Sequence, residues 1–272
     1  MLWIREEAPE LRPKFLISGM TKSGLHLLEQ MVQAVADPLP TTLVASVWWS
    51  TIQLDAFAEQ WADPETAMHQ VAYLQPGQYV KGHVAYRPDV AEFMRLAGVA
   101  HVFITRDLRD VAVSQAHHIL SDNPRLIHNA KETYRMLGGF DEVLGAVIAG
   151  MGPYRGVVRR WAEWYAPWLD VEWVLQRRYE DCVARPQEAA LEIIKYGLTR
   201  ALAGFDVAHM FDANWLREKA AVAVGNVEQR ERSVTFRKGQ PGEWREAFTE
   251  RHIALWKAND PGDWITRLGY EW

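Results

Sequence analysis

The residues best suited to chemistry follow short apolar runs. After KFLIS comes GMTKSGLH, residues 19 to 26, which leads into a stretch with helical apolar spacing. A helix beginning near Leu25 would turn its free backbone N–H groups, those of Leu25, His26 and Leu27 among them, toward the loop. Such donors, together with the helix dipole, favour an anion. Lys22 adds a full charge, Ser23 a hydroxyl, and Gly24 lets the backbone approach closely. The Walker A order is absent, because the lysine precedes the second glycine. Taken alone, the stretch fits a phosphate cradle or an ordinary strand–helix turn.

Four more stretches carry similar potential. KGH places Lys81 and His83 at the end of a second apolar run. A histidine leaving a strand can act as a general base or be structural. ITRDLRDVAVSQ places Arg106 after a third run, with Ser114 about two helical turns beyond. The pair can grip a phosphate, or Arg106 can form a salt bridge to Asp107 or Asp110. RRYEDCVARP puts Tyr179 after a fourth run, before a turn into a helix. FRKGQPGEW gathers Arg237, Lys238 and Gly239 as either an anion grip or a solvated loop.

These stretches need elements to hold them. KFLIS (14–18), YVKGH (79–83), AHVFIT (100–105) and VEWVLQRR (171–178) read as strands. Helical patterns follow at 25–36, 88–97, 109–120 and 186–196, and others fill 64–74, 124–148 and 153–167. The alternation predicts a single α/β domain over 1–272, with a central parallel sheet flanked by helices. Ligands in such folds sit at the carboxyl ends of strands, where the chemistry-bearing residues fall. The 222–245 stretch, with Gly225, Gly239, Pro241 and Gly242, reads as an irregular binding loop.

Composition narrows the classes. Net charge is −5 over 272 residues, which argues against a general nucleic-acid binder. The one cysteine, Cys182, cannot form an internal disulfide, as suits a reducing compartment. The start, MLWIREEAPELRPK, lacks a signal peptide's apolar core, and no apolar run approaches the roughly 20 residues of a membrane span. A cytoplasmic location is the expectation. No HExxH or spaced Cys/His cluster suggests a metal. Oligomeric state is not readable.

Together, in this order, the five stretches resemble the cytosolic-type sulfotransferases, which use 3′-phosphoadenosine 5′-phosphosulfate (PAPS) and release 3′,5′-adenosine bisphosphate (PAP). TKSG resembles the P-K-S-G-T-T-W phosphosulfate loop, and KGH the K-[ST]-H element with its catalytic histidine. TRDLRDVAVS resembles the 3′-phosphate stretch, YEDCVARP the Y-E-D element, and RKGQPGEWREAFT the late R-K-G-x-x-G-D-W signature. The chain departs from the pattern in several places. Leu25 and His26 replace two threonines, Leu27 the adenine-stacking tryptophan, Gly82 a Ser or Thr, and Glu243 an Asp. Trp215 is the candidate to stack on adenine instead.

The resemblance implies sulfuryl transfer by in-line displacement, with requirements like those of phosphoryl transfer. It implies that His83 takes the acceptor's proton, that Lys22 neutralises the leaving oxygen under the influence of Ser23, and that Lys81 supports the transferring group. Arg106, Ser114, Tyr179, Arg237, Lys238 and Gly239 surround the nucleotide in this reading. The expected acceptor group is a hydroxyl, with an amine second, on a small-molecule, natural-product or carbohydrate acceptor that is bulky and aromatic or glycosylated, with 37–60 (including Trp48 and Trp49) and 120–152 as its wall. The rival readings are a kinase with a variant phosphate loop and a non-catalytic nucleotide-binding module.

Overall fold

The computed structural model describes residues 12–38, 51–53, 64–123, 131–202, 212–228 and 238–272. Its central sheet contains β1 (Phe15–Gly19), β2 (Asp37–Pro38), β3 (Thr51–Gln53), β4 (Gln78–His83), β5 (Ala100–Thr105) and β8 (Leu175–Arg178). The strand order is β2-β4-β1-β5-β8, with β3 also pairing with β4, and every pairing is parallel. From β1 the chain moves to β4 on one side, and the following strand, β5, lies on the other. The carboxyl end of β1 is therefore a topological switch point, the usual ligand crevice of an open parallel sheet. GMTKSGLH begins there.

Side-chain alternation along the strands feeds two cores. Leu16, Val80 and Phe103 face one core, with α3 (Pro88–Leu96), α4 (Leu108–Leu120) and α6 (Phe140–Ala149). Phe15, Ile17, Tyr79, Val102 and Ile104 face the other, with α1 (Leu25–Val32), α9 (Pro186–Ala201) and α10 (Ala213–Glu228). Each fully buried aliphatic side chain contributes about 2 kcal/mol. The strands that carry the site are thus fixed from both faces.

Several expected elements differ. The 124–148 helix is α5 (Lys131–Arg135) and α6, separated where Gly138 takes φ 111°; residues 124–130 lie outside the described residues. A left-handed glycine breaks a helix that apolar periodicity alone would continue. The 153–167 segment starts inside a hairpin of β6 (Gly150–Met151) and β7 (Tyr154–Arg155), then forms α7 (Val157–Arg160) and a π-helix, Trp161–Tyr165. The fourth strand covers only its last four predicted residues. Within 222–245 the helix α10 continues to Glu228, because Ala220, Ala223 and Val227 bury a stripe against α1 and α9. Residues 229–237, Arg237 included, lie outside the described residues, as do Trp48 and Trp49. Among the described residues no helix is long and apolar enough to cross a membrane.

Candidate active site

The loop after β1 is a tight backbone structure. The Ser23 hydroxyl donates to the Met20 carbonyl at 2.6 Å, and the Ser23 N–H donates to the same oxygen at 3.0 Å. Ser23 is buried, so its hydroxyl closes the turn that presents Lys22. Lys22 itself takes φ 72°, an uncommon left-handed conformation for a residue with a side chain. Gly24, at φ 111°, precedes α1 and supplies no side-chain cap. The Leu27 N–H donates to the Gly24 carbonyl at 2.8 Å, so the first-turn donors turned to the loop are those of Leu25 and His26. A Cβ on Gly24 would meet the Tyr179 ring at 2.4 Å.

The three residues that depart from the resembled pattern divide between core and surface. Leu25 and Leu27 turn their side chains into the core, which leaves Leu25 only its backbone for a ligand, and the Leu27 N–H is spent on the Gly24 carbonyl. His26 is exposed and bonds Glu29 through Nδ1 at 3.1 Å. Glu29 also accepts two bonds from Lys81, at 2.8 and 2.7 Å, and one from the Tyr79 hydroxyl at 3.1 Å. Burial pushes the Glu29 carboxyl up, but the His26 and Lys81 hydrogen bonds outweigh it and hold the pKa at about 2. Lys81 is therefore tied to α1 as the counter-ion of a carboxylate. That is a structural placement which the resemblance alone does not suggest. Glu29 is its missed partner, at helical spacing from His26.

His83 ends β4 beside the same loop. Its Nδ1 lies 2.9 Å from the Gly19 carbonyl. A carbonyl only accepts, so Nδ1 carries the proton and Nε2 is the basic nitrogen.

Arg106 joins the remaining parts. It donates to the Lys22 carbonyl at 3.3 Å and to the Gln240 carbonyl at 3.5 Å, so one guanidinium spans both loops. It lies 4.3 Å from the centre of the Tyr179 ring and 3.8 Å from Asp110. The salt bridge to Asp110 and the placement at the site hold together. Among the described residues the buried Arg106 Nε has no hydrogen-bond partner, which suits a residue whose partner is a bound anion. Tyr179 packs against Gly24 and Arg106, and its hydroxyl donates to the Gly239 carbonyl at 3.0 Å.

The late loop is anchored by Asp110, whose sequence position suggests only an ion pair with Arg106. Asp110 accepts from the Gly242 N–H at 2.7 Å and the Trp244 N–H at 3.0 Å, which brings 238–244 against α4. Burial raises the Asp110 pKa, while Arg106 and the two N–H donors oppose the shift. Gly239 (φ 66°) and Gly242 (φ 86°) allow the turns this requires. Ser114 is half-buried on α4, one turn past Asp110 on the same face. Lys238 pairs with Glu243 at 3.2 Å. Trp215 is not brought to this place. It packs with Ile194, Leu198 and Leu216 beside Val35, past the far end of α1, because α10 is held there by its apolar contacts with α9.

The phosphate loop, His83, Arg106, Tyr179 and the 238–244 loop thus meet at the carboxyl end of the sheet. Similar proteins are consistent with this architecture. A mouse sulfotransferase solved with PAP is 16% identical, with a TM-score of 0.57 over 94% of this chain and 87% of that one. Retinol dehydratase solved with androsterone and inactive cofactor PAP is 17% identical, with a TM-score of 0.53 over 93% of this chain and 81% of that one. A second retinol dehydratase structure, with retinol and PAP, is 18% identical, with a TM-score of 0.50 over 92% and 82%. At these identities the likeness concerns the fold. No curated protein sequence matches the chain. The family is set by a match to the sulfotransferase domain over residues 12–258, nearly the whole chain, and the protein belongs to that family of sulfuryl-transferring enzymes.

Proposed function

We propose that the protein transfers the sulfuryl group of PAPS to a hydroxyl of a small, bulky acceptor, with His83 as general base. The observation that carries this reading is the pair of contacts that joins the base and both anion grips to one loop: His83 to the Gly19 carbonyl and Arg106 to the Lys22 carbonyl. When bound, the nucleotide supplies a sulfuryl group on a phosphate leaving group. The residues fit such a ligand: α1 has no side-chain cap, and Arg106 has a buried Nε with no partner among the described residues.

His83 would take the acceptor proton on Nε2, because Nδ1 is committed to Gly19. Lys22 would offset charge on the leaving oxygen. Ser23 would act indirectly, since its hydroxyl shapes the loop that carries Lys22. Arg106, Ser114, Lys238, Gly239 and Arg237 would hold the 3′-phosphate, with Tyr179 beneath them. Lys81 would fix β4 to α1 through Glu29 and take no direct part in transfer. A domain over 1–272 with an apolar or glycosylated acceptor completes the reading.

The test is His83→Ala. Turnover should fall by about 10²- to 10⁴-fold while PAP affinity stays near wild type. Near-normal turnover in the variant would remove His83 as the base.

A further inference from the structure

We infer that Tyr270 and Trp272 are positioning residues for the 3′-phosphate grip, acting through Arg109, Glu180 and Trp244. The inference rests on the nucleotide site proposed above and extends it to a segment outside every stretch that resembles the family.

The starting point is Arg109, three residues after Arg106. It is fully buried, yet it makes no contact that the proposed reaction requires. Its Nε and one terminal nitrogen bond the Asp107 carboxylate at 3.0 and 2.7 Å. That terminal nitrogen also donates to the Glu271 carbonyl at 2.8 Å. The guanidinium carbon lies 3.6 Å from the Trp244 ring centre and 5.1 Å from that of Trp272, and the two rings meet edge-on at 6.3 Å. Trp244 is the residue whose N–H is held by Asp110, so the cluster bears directly on the end of the late loop. A second tie runs beside it. The Tyr270 hydroxyl donates to Glu180 at 2.7 Å, and the other Glu180 oxygen accepts from the Asp107 N–H at 3.3 Å. Glu180 follows Tyr179, and Asp107 follows Arg106.

Residues 270–272 therefore touch Trp244 and the neighbours of Arg106 and Tyr179. Trp272 remains 45% exposed and belongs to neither core, so its contacts add little to the fold itself. Guanidinium–aromatic contacts of this kind are strengthened when desolvated, and Arg109 is buried against both rings. Removing Trp272 exposes Arg109 and lets Trp244, and the loop before it, move. The cost should fall on ligands that carry a 3′-phosphate and spare those that do not.

The experiment is calorimetric titration of wild type, Trp272→Ala, Trp272→Phe and Tyr270→Phe with PAP and with 5′-AMP. If wild type binds the two nucleotides equally, the nucleotide reading itself fails, whatever the variants do. If wild type prefers PAP, Trp272→Ala should weaken PAP about tenfold and leave 5′-AMP within about twofold. Trp272→Phe should recover most of the loss, and Tyr270→Phe should weaken PAP less than Trp272→Ala does. In an Asp110→Ala background, Trp272→Ala should add little, because the loop it positions has already lost its anchor. Unchanged PAP affinity in Trp272→Ala, equal losses for both nucleotides, or a full further loss in the Asp110→Ala background would overturn the inference.

Discussion

The loop at 19–24 and the loop at 238–244 present cations and glycines to the same crevice, but they are ordered by different means. The first is closed by bonds between residues three apart, from Ser23 to Met20. The second is held from a distance: Tyr179 is 60 residues away, and Asp110 and Arg106 are 132 and 134 residues from the loop positions they bind. A locally closed loop keeps its shape while its strand and helix stand. A loop ordered by remote side chains can be loosened without harm to the sheet. Perturbing the first loop should therefore damage all nucleotide binding and the fold around it. Perturbing the second should remove recognition of one phosphate.

The largest effect is expected for Gly24→Ala. Its φ of 111° is hostile to a side chain, and the new methyl would overlap the Tyr179 ring. Strain and overpacking together cost about 2–5 kcal/mol. PAP and 5′-AMP should both lose affinity by more than about 10-fold, and the melting temperature should drop. Retention of 5′-AMP binding would show that the first loop is not the shared grip.

Asp110→Ala should come next. It leaves the Gly242 and Trp244 N–H groups without their acceptor, at about 1–3 kcal/mol. PAP affinity should fall by roughly 10- to 100-fold with little change for 5′-AMP. A loss shared equally by both nucleotides would erase the contrast between the loops.

The smallest effect concerns the carboxylate behind the first loop. Glu29 is held at a pKa of about 2, below the ordinary 4.5. A depressed carboxylate stabilises the folded state fully above the unfolded pKa, and that stability is lost as pH falls through the folded value. With partial exposure to solvent, the contribution is about 1 kcal/mol. Glu29→Gln should lower the melting temperature at pH 7, and its deficit should shrink as pH falls from about 5 toward 3. A deficit constant over that range would show that the Lys81 tether does not depend on the Glu29 charge.

Where local chemistry decides the structure, the sequence can be read. KFLIS, AHVFIT and the KGH strand are short apolar runs ended by glycine or polar residues, and their order gives the parallel sheet. Lys22, His83, Arg106 and Tyr179 stand at strand ends and could be picked out there. Remote contacts could not. Nothing near Asp110 announces that it will cap a loop 132 residues away, and nothing near Lys81 announces Glu29. Trp215 was drawn to the adenine by likeness, whereas apolar packing of α9 and α10 holds it elsewhere. The extended helix at 213–228 won over the irregular reading because buried alanines and Val227 outweigh the cost of Gly225, about 1 kcal/mol.

The most direct test of the two-loop site is the melting temperature of the wild-type protein with PAP, with 5′-AMP, and with ATP plus Mg²⁺. At about 100 times its dissociation constant, a ligand adds roughly 2.7 kcal/mol of stability, a shift of several degrees. The account predicts a large shift with PAP and a much smaller one with 5′-AMP at equal concentration, because Arg106 and the 238–244 loop act only on the 3′-phosphate. A response to ATP and Mg²⁺ with none to PAP would contradict it.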